Sequence, residues 1–394
     1  MMLGLILARA GVEVALLEKH ADFLRDFRGD TVHASTLDLL DELGLLHRFL
    51  AIPHTEAREI YMPMGPGAEF SLKFDRLPAR HRFIAFVPQW DLLNMLAEEA
   101  ARHERFQLLT EAEATGLVRE DGRVAGLRYR DAEGRENEIR TELVVGADGR
   151  HSAIRRDARL ELVETSSLMD VLWFRLSRQP GDPEAVVFRA GDGHVAGLVS
   201  RGDYWQIAYV IAKGSAEEMR AAGIEALQRS VIRLEPKLTD RVRELGSWDD
   251  VKLLSVRSDR LRRWWLPGLL CIGDAAHAMS PIGGVGINLA IQDAVASANE
   301  LAGPLREGHV GDAHLERIQR RRELPTRLTQ FVQATIQGRL LRPVLEGRER
   351  QGPPLPARML LGVPLLRGLL PRFVGVGFRP EHIRPELAAL MLDG

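Results

Sequence analysis

Residues 268–301 of this chain, GLLCIGDAAHAMSPIGGVGINLAIQDAVASANEL, place a carboxylate, a glycine cluster and a helix start within sixteen positions. The apolar run Leu269 to Ile272 reads as a buried parallel strand that ends at Gly273-Asp274. Ligands of open α/β sheets bind beyond the carboxyl ends of strands, so Asp274 is placed to take a hydroxyl or ribose. Pro281, Gly283, Gly284 and Gly286 follow, and residues without Cβ let backbone come close to a ligand. From Asn288 onward, Leu289, Ile291, Ala294 and Ala298 recur at helical spacing. The unpaired N–H groups of that helix start suit an electron-rich end near Gly284 to Asn288. A tight strand–helix connection needing glycine for sterics alone would share the glycine pattern.

Two more strand-end acids accompany this stretch. Residues 12–17 form an apolar run that stops at Glu18-Lys19, as the second strand of a dinucleotide-binding βαβ unit stops at the acid that takes the adenosine ribose. Residues 143–149, LVVGADG, form a buried strand ending in Asp148-Gly149, and with Ser152 and Arg155 they spell D-G-x-x-S-x-x-R. Ser152 could equally cap a short helix, and Arg155 could pair on the surface.

The combination G-D-A-A-H-x-x-x-P-x-G-G-x-G-x-N-x-x-x-x-D, taken with D-G-x-x-S-x-x-R, resembles the single-component FAD-dependent aromatic hydroxylases, the para-hydroxybenzoate hydroxylase-like family, over about residues 3 to 340. The resemblance implies FAD, with Gly273 and Asp274 on its ribityl or ribose hydroxyls. It implies Glu18 and Lys19 at the adenosine ribose, and Asp148, Gly149 and Arg155 beside the pyrophosphate. An arginine of residues 25–36 approaches the pyrophosphate in that family; Arg28 fits best by position, Arg25 less well. Gln89, at a strand-to-helix junction, would hydrogen-bond the flavin, or else cap its turn. Pro281 and Gly284 would form the reaction face, flanked by Gly283, Gly286 and Asn288. The activity implied is NAD(P)H- and O2-dependent hydroxylation of an aromatic or polyketide-like small molecule through a flavin C4a-hydroperoxide, so few side chains need be catalytic. Tyr204 or Tyr209 could serve as a substrate base, and Trp173, Phe188 and Trp205 are further aromatic candidates for a pocket. Trp264-Trp265-Leu266-Pro267 departs from the W-x-W-x-I-P run of flavin halogenases. A reductase or dehydrogenase of a lipid-like substrate, or a flavin-free binding protein, remain alternatives.

The G-x-G-x-x-G turn of a dinucleotide site does not precede Glu18. The expectation is that Met1 is not the working start. Upstream sequence would then read in frame as an apolar strand and that glycine turn, and including it would raise FAD affinity.

The elements that must position these residues follow from periodicity. The fold expected is α/β: a Rossmann-like three-layer FAD-binding domain, N-terminally truncated, interleaved with a mixed β-sheet substrate domain and followed by C-terminal helices. The FAD-binding domain takes residues 1–57, 89–158 and 256–340. The substrate domain takes 58–88 and 159–255, where alternating runs such as YWQIAYVI suggest a sheet with one face against something apolar. Residues 341–394 form a Pro- and Gly-rich tail. Asp121-Gly122 and Glu133-Gly134 signal a small antiparallel meander. Helices are expected over 216–234, 312–322 and 325–341.

With 394 residues, 45% of them hydrophobic, the chain can bury a large core. A net charge of −2 offers no basic face for nucleic acid. No run reaches the roughly 18 apolar residues of a membrane helix. The single cysteine, Cys271, permits no internal disulfide and suits a reducing cytoplasm. The 12 histidines show no metal-ligand spacing. A monomer or homodimer acting on a small molecule is expected.

Overall fold

The computed structural model of the chain describes residues 1–24, 31–63, 69–165, 167–184, 186–348 and 368–393. Its first unit is three-layered. The helix Met2–Arg9 is buried from Met2 to Ala8 and packs against the helices Gln89–Ala100 and Gly286–Glu307. Gly11, at φ +78°, turns the chain out of that helix, which only glycine does at little cost. The strand Val14–Leu17 then runs parallel to Phe106–Leu109. A second group of strands holds the two motifs: Val144–Gly146 lies parallel to Leu269–Cys271, which pairs antiparallel with Trp265–Leu266. The meander Glu113–Glu120, Arg123–Arg130 and Glu136–Arg140 forms the third layer and buries Leu117 and Val124 against Val144, Ile154 and Leu269. Among the described residues, Val14–Leu17 and Val144–Gly146 each have a ladder partner on one side only, and a large cavity extends between them.

The second unit is a seven-stranded mixed sheet. Its order is Lys252–Leu254, Met169–Ser177, Tyr204–Ala212, His194–Arg201, Val186–Gly191, Glu59–Pro63 and Glu69–Lys73. All neighbours are antiparallel except Val186–Gly191 beside Glu59–Pro63. Because side chains alternate along a strand, the sheet has two distinct faces. Leu172, Phe174, Leu198, Trp205, Ile207 and Tyr209 pack under the helices Ala216–Ala221 and Ile224–Leu234. Val171, Trp173, Val195, Ala208 and Val210 line the cavity on the other side.

Two helices differ from the periodicity. The expected helix over 216–234 breaks at Gly223, whose φ of +86° leaves the right-handed region. The expected pair 312–322 and 325–341 is one helix, Asp312–Ile336, running through Pro325. The helices Leu369–Gly375 and Pro385–Asp393 close the chain.

Candidate functional site

One cavity of about 3170 Å³ joins the two units. Part of this space lies between the strand edges of Val14–Leu17 and Val144–Gly146, against Leu3, Leu7 and Leu143, and the part beyond the strand ends has room for a ligand. On the first unit's side it is lined by Glu18, Lys19, Gln89, Asp148, Gly149, Gly273, Asp274, Pro281, Gly283, Gly284 and Gly286. Residues far apart in sequence therefore meet around one space.

The motif strand positions Asp274 through local geometry. Leu269, Leu270 and Cys271 are fully buried, and burial pushes the Cys271 thiol up to about 12, so it stays protonated packing. Gly273, at φ +57°, bends the chain into a single 3-10 turn, Gly273–Ala275. Asp274 emerges from that turn into the cavity, a third of its side chain exposed, and the Arg150 guanidinium lies 3.6 Å from its Oδ2. Arg150 is a cavity residue that the motif pattern did not single out: it occupies a variable position of D-G-x-x-S-x-x-R.

The glycines divide by what surrounds them. At Gly284, with φ +64°, a Cβ would run into the Thr31 side chain, whose Oγ1 donates to the Gly284 carbonyl at 2.8 Å. At Gly286 and Gly149 a Cβ would meet nothing within 4 Å. Gly286 opens the helix Gly286–Glu307, so its free N–H groups and bare Cα belong to the cavity wall. A cradle that side chains would fill, three carboxylates at strand ends and a helix start fit the hydroxyls, ring and phosphates of a flavin dinucleotide.

Five residues of the expected motifs and pocket stand off the cavity wall. Asn288 is buried outside the cavity wall; its Oδ1 accepts from the His33 N–H at 3.0 Å and the Thr36 hydroxyl at 2.6 Å, fastening residues 31–36 to the glycine loop. Arg155 is buried, donating to the carbonyls of Ala275 at 3.1 Å and Arg150 at 2.7 Å, so it ties the D-G segment to the G-D turn. Ser152 caps the helix Ala153–Asp157, its Oγ accepting from the Arg155 N–H at 2.9 Å. Tyr209 lies on the helix-covered face of the sheet, fully buried, 2.6 Å from Ser230 Oγ, and burial pushes its hydroxyl up to about 12. Tyr204 also stands off the cavity wall, its ring under the Arg175 guanidinium at 4.8 Å. Tyr209 therefore faces away from the cavity, and Tyr204 is not among the residues that line it. Arg28 lies outside the described residues.

His33 sits behind the glycine loop, fully buried, with its Nδ1 against the Val374 carbonyl. Burial pulls its imidazole down to about 4, although the Val374 and Gly284 carbonyls work the other way. His277 is equally buried and bonds Asp293 Oδ2 at 2.6 Å, inside the structure and away from the cavity. No group of three or more metal-ligating side chains occurs among the described residues, and none of their helices is long and apolar enough to cross a membrane.

The FAD binding domain family matches residues 1–332. The 6-methylpretetramide 4-monooxygenase of Streptomyces rimosus is 33% identical over 393 residues, 98% of this chain and 91% of the relative. Among solved structures, a probable FAD-dependent monooxygenase of Pseudomonas aeruginosa superposes with a TM-score of 0.73 at 22% identity, covering 88% of this chain and 94% of the other. The anhydrotetracycline hydroxylase of S. rimosus gives 0.71 at 22% identity, with 95% and 73% covered. The chain belongs to the family of FAD-dependent monooxygenases that share this FAD binding domain.

Proposed function

We propose that this monooxygenase uses NADH or NADPH and O2 to hydroxylate a fused-ring aromatic or polyketide-like small molecule. The observation that carries the reading is the continuity of the cavity, from the three strand-end carboxylates to the apolar face of the mixed sheet. A polar half and an apolar half of one space are what a dinucleotide and an aromatic substrate need side by side. The relative's substrate, 6-methylpretetramide, and that of the anhydrotetracycline hydroxylase support the polyketide class.

In this reading Glu18, Asp148 and Asp274 hold cofactor hydroxyls or border its phosphates, and Gln89 and the backbone of residues 281–286 border its ring. Bound FAD, reduced by the pyridine nucleotide, supplies the activation of O2. The chain's own contribution is position and dryness. Val171, Val195, Val210 and Trp173 exclude water from the substrate side, which strengthens every polar contact made there. The helix start at Gly286 offers N–H donors to negative charge. A cytoplasmic monomer or homodimer completes the reading, in keeping with one deeply buried cysteine.

The test is an FAD-loaded assay against aromatic polyketides, following NAD(P)H oxidation, O2 uptake and product mass together. Incorporation of one oxygen atom from O2 into a fused-ring substrate is the result expected. NAD(P)H oxidation that saturates a substrate double bond without oxygen incorporation would replace this reading with the reductase one.

A further inference from the structure

The helix Asp312–Ile336, continued by one π-helical turn over Gln337–Leu341, carries the buried glutamines Gln319, Gln330, Gln333 and Gln337. Their spacings of eleven, three and four residues put them on one face of the helix. Buried amides need hydrogen-bond partners, and here the partners are backbone groups of other segments. Gln319 accepts the Trp264 N–H at 3.0 Å and donates to the Arg262 carbonyl at 2.8 Å. Gln330 Nε2 donates to the carbonyls of Asp259 at 2.8 Å and Ala278 at 3.2 Å. Gln333 Nε2 donates to those of Ser280 at 2.8 Å and Ile282 at 2.9 Å, the two carbonyls that flank Pro281. Gln337 Oε1 accepts the Leu168 N–H at 3.1 Å, at the entry to the sheet strand Met169–Ser177. The adjoining face of the same helix, with Val332, Thr335 and Ile336, lines the cavity.

Gln333 is the member of this row that reaches the glycine loop, and it is 1% exposed. A side-chain amide nitrogen carries two N–H bonds, and both are used, one on each side of Pro281. Two bonds that straddle one residue fix the path of the chain there in a way that one bond would not. The loop then turns at Gly283 and Gly284, both at positive φ. The side chain of Ile282 packs with Trp173, Ala208 and Val210 of the mixed sheet. The segment that Gln333 holds therefore lies between the substrate sheet and the glycines of the cofactor side. We propose that Gln333 is a positioning residue for the monooxygenase reaction: acting through the backbone of Ser280 and Ile282, it sets where Pro281 to Gly284 stand against the flavin ring. This rests on the reading above that makes residues 281–286 border that ring. Gln337 bonds the entry of a substrate-sheet strand one turn further along, so ring and substrate are held in register by one helix.

The experiment compares the FAD-saturated wild type with Gln333→Met, Gln333→Asn, Gln330→Met and Gly286→Ala. It reads melting temperature, the visible absorption spectrum of the bound FAD and its midpoint potential. Methionine is close to glutamine in length and has no N–H, so Gln333→Met releases both loop carbonyls. Gln330→Met does the same to two carbonyls that lie outside residues 280–286, from a side chain that is also buried. Both variants should melt below the wild type. Only Gln333→Met should shift the flavin absorption maximum and the potential, because groups placed around the ring tune its electronics. Gln333→Asn keeps the amide but withdraws it by one methylene, and should shift both in the same direction by less. Equal shifts from Gln330→Met and Gln333→Met would reduce the effect to general loosening and overturn the positioning role. An unshifted flavin in Gln333→Met and Gln333→Asn beside a shifted one in Gly286→Ala would overturn it too. An unshifted flavin in all four variants would instead remove the loop from the ring, and the inference would fall with that reading.

Discussion

Asp293 reaches back twenty residues to Gly273: its Oδ2 accepts the Gly273 N–H at 3.1 Å, in the turn that aims Asp274. The same oxygen meets His277 Nε2 at 2.6 Å, and Oδ1 accepts from Arg322 Nε at 2.9 Å. Arg322 is fully buried and also bonds Glu381 at 3.3 Å, so the C-terminal segment is fastened to the flavin turn through charge. Burial works against the Asp293 carboxylate, but the His277 ring and the Arg322 guanidinium outweigh it and hold its carboxyl below the usual range. Asp293→Ala leaves Arg322 buried with one carboxylate fewer. Losing one partner of a buried pair costs roughly 3–5 kcal/mol, measurable as a fall in urea midpoint at constant slope. Asp293→Asn keeps one acceptor oxygen and should lose less. Equal stability of all three proteins would show that the network carries no net energy.

The two glycines that look alike in sequence should separate experimentally. Gly284→Ala meets Thr31 at a positive φ and should destabilise the fold by roughly 1–3 kcal/mol. Gly286→Ala adds a methyl in open cavity space at a helix start. Helical alanine is favoured over glycine by roughly 0.5–1 kcal/mol, so this variant should melt no lower than the wild type while binding FAD more weakly. Undiminished FAD affinity in Gly286→Ala would remove the close backbone approach from the cofactor reading.

How far the sequence discloses this site depends on the range of the interaction. The strand, turn and glycine loop of residues 268–286 were legible because chain-local rules govern them: apolar run, strand-end acid, bare backbone. The faces of the mixed sheet were not. Alternation in YWQIAYVI separates Tyr209 from Ala208 and Val210, but it does not say which set meets the helices and which the cavity. That is settled by the helices Ala216–Ala221 and Ile224–Leu234, which cover Tyr209. Asn288 and Arg155 were legible as motif members, yet their partners, residues 31–36 and the Ala275 carbonyl, lie more than a hundred positions away. Pro325 misled because tertiary packing of Ile318, Thr326, Thr329 and Gln330 holds one helix together across it.

Tyr209→Phe tests that face assignment. Removing the hydroxyl leaves Ser230 Oγ without this partner in a buried setting, which costs about 1 kcal/mol. Turnover and its pH profile should match the wild type. A lost basic limb in the profile would put Tyr209 back among candidate substrate bases.

His33 makes stability depend on pH. Its imidazole is neutral in the fold, titrating at about 4, whereas an unfolded histidine titrates near 6.5. A depressed histidine pKa means that the unfolded chain binds the extra proton, so stability rises with pH and falls as pH drops from about 6.5 towards 4. Linkage gives a loss of about 2 kcal/mol at pH 5 relative to neutral pH. His33→Gln cannot ionise, so its melting temperature should vary less with pH over this window. Parallel pH curves for the two proteins would assign the acid sensitivity to other groups.

Asp274 is the carboxylate on which the cofactor reading leans most. It projects from a turn whose backbone is fixed by Gly273 and Asp293, so its own side chain does not hold that turn together. Its charged neighbour Arg150 sits 3.6 Å away with both groups partly exposed, an ion pair of small worth to stability. Asp274→Ala should therefore melt close to the wild type. A carboxylate bonded to a cofactor hydroxyl contributes about 1.5–3 kcal/mol to binding, so FAD affinity should fall by roughly 10- to 100-fold. Arg150→Met provides the contrast: if Arg150 borders the phosphates, it too weakens FAD, with a smaller salt dependence of binding than the wild type. Fluorescence titration of FAD at two ionic strengths reads both effects. A folded Asp274→Ala protein with wild-type FAD affinity would detach the G-D turn from cofactor binding.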